Sequence, residues 1–210
     1  MFELGRIRFR PFRKEDLSFL EDWENTREVT LYARGRPLVF KNREDIEGEF
    51  EEYQENDDKH RFILEIREHD KIIGIATYKE EINTVKNADV GTYIGEKDYW
   101  NQGIGKEITL GLCEILFYHK NFDRVSAWSS SFNKRSHKVI KSVGFKKSGR
   151  ARKSGYLFGK RVDWLMFDLL REEYMNSRES LLDEILAEKK EEYTLSQCRI
   201  KRNKEDSKEE

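Results

Sequence analysis

Tyr99-Trp100-Asn101-Gln102-Gly103-Ile104-Gly105-Lys106-Glu107 is the stretch whose reading decides the fold. Two glycines at i and i+2 let a backbone curl closely around an anion. The next segment, residues 106 to 118, carries Ile108, Leu112, Ile115 and Leu116 at helical spacing. A helix opening there points its unpaired N–H groups and the positive end of its dipole into the same curl. Together these make a cradle for a pyrophosphate. The stretch lacks the third glycine and the acidic residue of a dinucleotide fingerprint, and the Gly-Lys-Ser/Thr of a P-loop. Taken alone, Gly-x-Gly before a helix is a weak signal, because many such turns are only structural.

The flanks add context. Just upstream, Asp89 to Ile94 is an extended segment ending at Gly95. Before it, Phe62 to Ile66 and Lys71 to Tyr78 flank the polar turn Glu68-His69-Asp70 and predict an antiparallel hairpin. At the start of the chain, Arg6 to Arg10 alternates as a short strand closed by Pro11. Residues 14 to 24 follow as a helix, with Glu15 and Asp16 in its first turn and Leu17, Leu20 and Trp23 on one face. Asn42 with Asp45 three residues on predicts the cap of a second helix, whose apolar stripe is Ile46, Phe50 and Tyr53. Downstream come a strand at Val125 to Ser129 and a helix over Lys134 to Val143 stopped by Gly144. Strands Phe145 to Arg150 and Trp164 to Leu170 close the domain, with Phe158-Gly159-Lys160 as a turn. Strands first, then alternating strands and helices, indicate an α/β (α+β) fold: a mixed sheet with helices packed on it.

Composition bounds the rest. A chain of 210 residues fits one domain, here 1–175, followed by an amphipathic helix over 176–195 built on Leu181, Leu182, Ile185 and Leu186. Residues 196–210 are almost all charged or polar and read as a disordered tail. Charged residues make up 39%, but 40 Lys+Arg balance 41 Asp+Glu, so no basic excess points to nucleic acid. Cys113 and Cys198 form no paired pattern, and the four histidines share no ligand spacing and read as surface residues. No metal is therefore expected. No apolar run approaches the roughly 20 residues of a membrane span, and the charged start has no signal core, which makes cytoplasm the default.

With these elements in order, the chain resembles the GNAT superfamily of N-acetyltransferases over about residues 5 to 172. The carriers are the glycine turn, the Asp89 to Gly95 segment, Asn133-Lys134-Arg135-Ser136 ending in Val143-Gly144-Phe145, and Gly159-Lys160-Arg161-Val162-Asp163 before Leu169-Leu170-Arg171-Glu172. The last of these resembles the closing hairpin of the Rim-type branch, which includes ribosomal-protein N-terminal and spermidine acetyltransferases. The resemblance implies a mostly antiparallel sheet splayed at the Asp89 strand, with helices on both faces and acetyl-CoA wedged in the splay as acetyl donor. It implies a coenzyme site made by Tyr93, Ile94 and Gly95 on that strand, Trp100, Asn101, Gln102, Gly103, Ile104, Gly105 and Lys106 in the cradle, and Asn133 and Ser136 beyond. Backbone N–H groups near Tyr93 and Ile94 would hold the oxyanion.

Departures from the family pattern bear on catalysis. Trp100 stands where Arg or Gln usually opens the phosphate motif, and Ile140 stands where many members carry an acidic Tyr. The resemblance to the Rim-type branch implies instead the hydroxyl of the Asn-x-x-Ser element, Ser136, as the candidate acid. The base glutamate of some members has no counterpart in Arg150 to Gly155, so Asp89, acting through a water, is the candidate base. A thiol leaves with a pKa near 8.5 and needs little help. An α-amine of pKa about 8 is neutral in about a tenth of molecules at pH 7, against about one in 10³ for a primary amine near 10.4. A weak base thus favours a protein or peptide N-terminus as acceptor. The alternatives are a small amine (polyamine, amino sugar or aminoglycoside) or a non-catalytic acetyl-CoA-binding module. Neither nucleic acid nor membrane is an expected partner, and the expected state is monomer or homodimer.

Overall fold

The computed structural model describes residues 1–34, 40–82, 85–157, 159–185 and 187. The chain opens with strands β1 (Phe2–Leu4) and β2 (Ile7–Pro11), then helices α1 (Leu17–Glu24), α2 (Arg27–Arg34) and α3 (Arg43–Glu55). Strands β3 (Lys59–Ile66), β4 (Lys71–Ile82) and β5 (Lys86–Ile94) follow. Helix α4 (Ile104–Cys113) widens into a π-type segment over Glu114–His119. Next come β6 (Arg124–Ser130), α5 (Lys134–Ser142), β7 (Lys146–Leu157) and β8 (Lys160–Leu170), and a last helix, α6, over 171–185.

The strands form one sheet in the order β1-β2-β3-β4-β5-β6-β8-β7. Every neighbouring pair is antiparallel except β5–β6, which is parallel. That pair also sets the shape of the molecule. Its register runs only from Asn87↔Arg124 to Val90↔Ala127, while β5 continues to Ile94 and β6 to Ser130. Past Val90 the two strands part, as expected for a sheet splayed at this strand.

Two cores cover the two faces. One packs α4, its π segment, α5 and α6 on the sheet through Ile104, Ile108, Leu112, Ile140, Tyr174 and Ile185. The other packs α1, α2 and α3 through Leu17, Leu20, Trp23, Val29 and Ile46 onto Ile63 and Ile75. The alternation of strand side chains sorts residues between the cores, so β5 sends Ala88 and Val90 one way and Tyr93 the other. Among the described residues, no helix is long and apolar enough to cross a membrane.

The expected cap of α3 is present: Asn42 Oδ1 accepts from Asp45 N at 2.8 Å, and Asp45 Oδ2 accepts from Asn42 N at 2.9 Å. Gly144 ends α5 with a φ of 104°. Asp16 does more than complement a helix dipole. It is 1% exposed and takes a two-pronged hydrogen bond from Arg10 at 2.7 and 2.8 Å, pinning α1 to β2. His137 corrects the surface reading of the histidines: it is buried, and its Nε2 lies 3.0 Å from the Ser130 carbonyl, where burial lowers its pKa. Neither β1 nor α2 is expected from the sequence pattern. The predicted tail 196–210, the end of the last helix and Phe158 of the expected turn lie outside the described residues.

Candidate active site

The cradle is a loop with two left-handed residues, Asn101 (φ 62°) and Gly103 (φ 78°), leading into the first turn of α4. Successive amide groups in such a turn point inward and form an anion-binding concavity. Its rim is fixed by a buried ion pair. Glu107, 3% exposed, accepts from the Arg6 backbone at 2.6 Å and from Arg6 Nε at 2.7 Å, while Arg6 Nη2 donates to the Gln102 carbonyl at 2.7 Å. Gln102 in turn donates to the Asp98 carbonyl. Lys106 N donates to Gly103 O at 2.8 Å, and its ammonium pairs with Glu184 of α6 at 2.5 Å. The Lys106 side chain therefore serves the α4–α6 contact, not the cradle.

The two glycines have different roles. A side chain at Gly103 would meet nothing closer than Arg6 Nη2 at 3.5 Å, so only its left-handed φ demands glycine. A Cβ on Gly105 would sit 3.3 Å from Val139 of α5. Its bareness brings α4 and α5 together and sets the first turn of α5 beside the cradle. There Asn133 caps α5 by accepting from Ser136 N at 3.1 Å and donates from Nδ2 to the Tyr32 carbonyl at 3.0 Å. Asn133 thus ties α5 to α2, and half-buried Ser136 lies in the same first turn.

Strand β5 faces the splay with one side of its backbone. Gly95 N donates to Ile73 O at 2.8 Å, and Gly91 O accepts from Thr77 Oγ1, so odd-numbered residues spend their backbone groups on β4. Thr92 and Ile94 point the other way, into the gap. By this register the Tyr93 N–H belongs to the β4 ladder, and the N–H groups of Thr92 and Ile94 lie on the open edge. The Ile94 carbonyl accepts from Trp100 Nε1 at 2.9 Å, so Trp100 staples the cradle loop to that edge. Any side chain at Gly95 would overlap the Trp23 indole, so a glycine here is required for the packing of α1.

On the α1–α3 face, beside the same edge, lies a cavity of about 320 Å³ bounded by Leu20, Glu49, Tyr53, Arg61, Thr92 and Tyr93 among others. A second hollow, sharing Tyr53, Thr77 and Gly91 with the first, continues to Asp89 and Trp128. The register lays this floor out in rows: Ile75 beside Tyr93, then Arg61, Thr77 and Gly91, then Lys59, Lys79 and Asp89. Tyr93 packs edge-on against Trp23, and its hydroxyl lies 3.5 Å from Glu24, a buried carboxylate that also pairs with Lys41 at 3.3 Å. Asp89 accepts from Ser126 Oγ at 2.9 Å. Burial raises its pKa, Ser126 opposes that rise, and Glu81 adds to it. Asp89 stands four residues from Tyr93 on an extended strand, about 13 Å at ~3.3 Å per residue. One water does not bridge that distance, so the expected relay from an amine at Tyr93 to Asp89 does not fit the spacing. Glu24, Arg61 and the Tyr32 and Phe132 rings that cluster with Trp100 escape the sequence reading, because only the packing of α1 and α2 and the sheet register bring them into place.

With cradle, splay and cavity in place, comparison with known proteins agrees. The family model for the acetyltransferase (GNAT) domain matches residues 6–146. The chain belongs to the GNAT acetyltransferase family. An uncharacterized N-acetyltransferase p20 of Bacillus licheniformis is 26% identical over 170 residues, covering 80% of this chain and 95% of that protein. A prophage-derived uncharacterized N-acetyltransferase, YokL, of Bacillus subtilis is 30% identical over 128 residues, covering 60% of this chain and 70% of that protein. Among solved structures, the spermidine N-acetyltransferase of Vibrio cholerae in complex with CoA and spermine superposes with a TM-score of 0.73. It shares 18% identity, covering 81% of this chain and 98% of that one. This GNAT chain is an acetyl-CoA-dependent N-acetyltransferase, and its mixed, mostly antiparallel open sheet is the GNAT-like fold.

Proposed function

We propose that this GNAT enzyme moves the acetyl group of acetyl-CoA directly onto the primary amine of a small molecule seated in the cavity on the α1–α3 face. The observation that carries this reading is continuity. Thr92 and Tyr93 line the cavity, and the same stretch of β5 presents its open backbone edge to the splay. A volume of about 320 Å³ lies at the lower end of small-ligand sites. The complex of the Vibrio cholerae neighbour with CoA and spermine supports a small amine as the kind of acceptor this fold takes.

In this reading the inward amides of residues 101 to 105 receive the pyrophosphate, and the pantetheine arm follows the β5 edge. Ile94 N–H stabilises the oxyanion as the neutral amine bonds to the thioester carbon. The C–S bond then breaks, and CoA leaves as a thiolate beside the first turn of α5. There the Ser136 hydroxyl donates a hydrogen bond, and the helix dipole favours the negative charge. The amine surrenders its proton to solvent.

A peptide N-terminus remains the second reading. It is favoured by the distance of Asp89 from the reaction edge, which leaves the amine to arrive already neutral. A panel of spermidine, amino sugars, amino acids and N-terminal peptides, scored by thiol release, separates the two. Turnover confined to peptides with unblocked N-termini would overturn the small-molecule reading.

A further inference from the structure

We propose that Arg61 selects the acceptor by binding an anionic oxygen group, carboxylate or phosphate, carried by the amine that is acetylated. This rests on the acetyl-transfer reading and names its substrate class. Arg61 lies on β3 and lines the cavity beside Thr77 and Gly91. Its guanidinium stacks on Tyr53, 3.8 Å from the ring centroid, and lies 5.1 Å from the Phe12 centroid, so aromatic rings fix its position. Nε and Nη1 are both buried, and neither has a hydrogen-bond partner among the described residues. Buried polar nitrogens in folded proteins are nearly always satisfied, and a guanidinium cannot shed its charge to escape the requirement.

The carboxylates of the same cavity are engaged elsewhere. Glu49 pairs with Lys41 at 2.5 Å, and Glu52 pairs with Lys59 at 2.7 Å. Nε and Nη1 are enclosed by the protein alone, so an anion there meets the guanidinium through its charge and through Nη2, the nitrogen that is not enclosed. An acid-bearing amine meets both ends of the cavity. Its anion sits at Arg61, and its amino group reaches the β5 edge two strand spacings away, roughly 10 Å. That span suits a molecule whose amine and acid lie several bonds apart, such as a phosphorylated amino sugar or an amino acid acetylated on its side-chain amine. A polyamine supplies no acceptor oxygen and sets a second cation against the guanidinium.

The test uses matched amines: amino acids against their amides, amino sugars against their phosphates, and spermidine, with wild type, Arg61→Gln and Arg61→Lys. Wild type should prefer the acid-bearing member of one pair series, and which series responds distinguishes carboxylate from phosphate. Arg61→Gln should cut the ratio of acid-bearing to neutral turnover roughly tenfold or more, chiefly through KM, with acetyl-CoA affinity by calorimetry unchanged. Arg61→Lys, which keeps the charge and loses the planar fork, should fall between and serves if the Gln variant does not fold. An unaltered ratio in both variants, or spermidine as the best wild-type acceptor, overturns the role of Arg61 and leaves acetyl transfer intact. No turnover of any amine overturns both.

Discussion

The two sides of β5 are built on different principles. In the proposed reading, donor recognition is made of backbone: inward amides, a helix end and an open strand edge. Side chains such as Glu107 and Trp100 hold that backbone in place. The cavity proposed for the acceptor is lined by side chains projecting from three strands and α3. Backbone recognition suits a donor that is always the same molecule. Side-chain recognition lets the acceptor change by substitution without disturbing the sheet. The contrast predicts that mutations on the donor side act through folding and coenzyme affinity, and those on the acceptor side through selectivity.

Gly95 gives the largest effect, because it sits where the two sides meet. A methyl there overlaps Trp23, which itself donates to Glu96 at 3.0 Å. Gly95→Ala should lose about 3 kcal/mol, the upper end of overpacking costs. That is a large part of a typical total stability of roughly 5–15 kcal/mol. Urea denaturation measures the loss, and adding Trp23→Ala should return part of it. A Gly95→Ala protein that melts with wild type yet no longer binds acetyl-CoA would return this residue to the donor site.

The cradle glycines sharpen the comparison at intermediate size. Gly103→Ala meets open space but a strained φ, with an expected stability loss of about 1 kcal/mol. Its acetyl-CoA affinity should drop tenfold or more, because the loop relaxes away from the curl. Gly105→Val should instead strike Val139 and lower stability by roughly 1–3 kcal/mol before any loss of affinity. Calorimetry and thermal melts on the same samples separate the two. If Gly105→Val stays as stable as wild type and loses only affinity, Gly105 belongs to the cradle and not to the helix contact.

The same division explains what the sequence disclosed. The donor side is local: Gly103, Gly105 and the apolar repeat of α4 fall within about fifteen residues, and backbone geometry follows from residue type there. The strand ending at Gly95 and the stop at Gly144 were legible for the same reason. The purpose of Gly95 was not, since Trp23 is distant in sequence and meets it only through sheet topology. Trp100 reads as a departure from a family pattern, while in the fold its indole closes onto the Ile94 carbonyl. The acceptor side is assembled across β3, β4 and β5 by register. Before pairing is known, Arg61 is one charged residue in a chain that is 39% charged. The direction of each N–H on β5 is equally invisible to composition, which is why the proposed oxyanion donor is Ile94 and not Tyr93.

Asp89 gives the smallest expected effect and the finest discrimination. Burial raises its pKa above the unfolded value of about 3.9. The folded state then binds the proton more tightly than the unfolded one. Its contribution to stability is greatest at low pH and declines as pH rises from the unfolded pKa through the raised folded one. At pH 7 the ionised group works against the fold, so Asp89→Asn should melt slightly higher there, with the gain fading as pH approaches 3. Ser126 Oγ can still donate to the amide oxygen, so the local hydrogen bond survives the change. Activity follows from distance. At about 13 Å from the Tyr93 position, Asp89 is too remote to take the amine's proton, and Asp89→Asn should cost under about tenfold in kcat/KM. Log kcat/KM should rise with pH at near unit slope and bend at the pKa of the amine itself, moving when the acceptor is exchanged. A bend that stays fixed near pH 6 to 7 across acceptors, and vanishes in Asp89→Asn, would make Asp89 the base. It would then require a chain of waters along β5 to join the two hollows during catalysis.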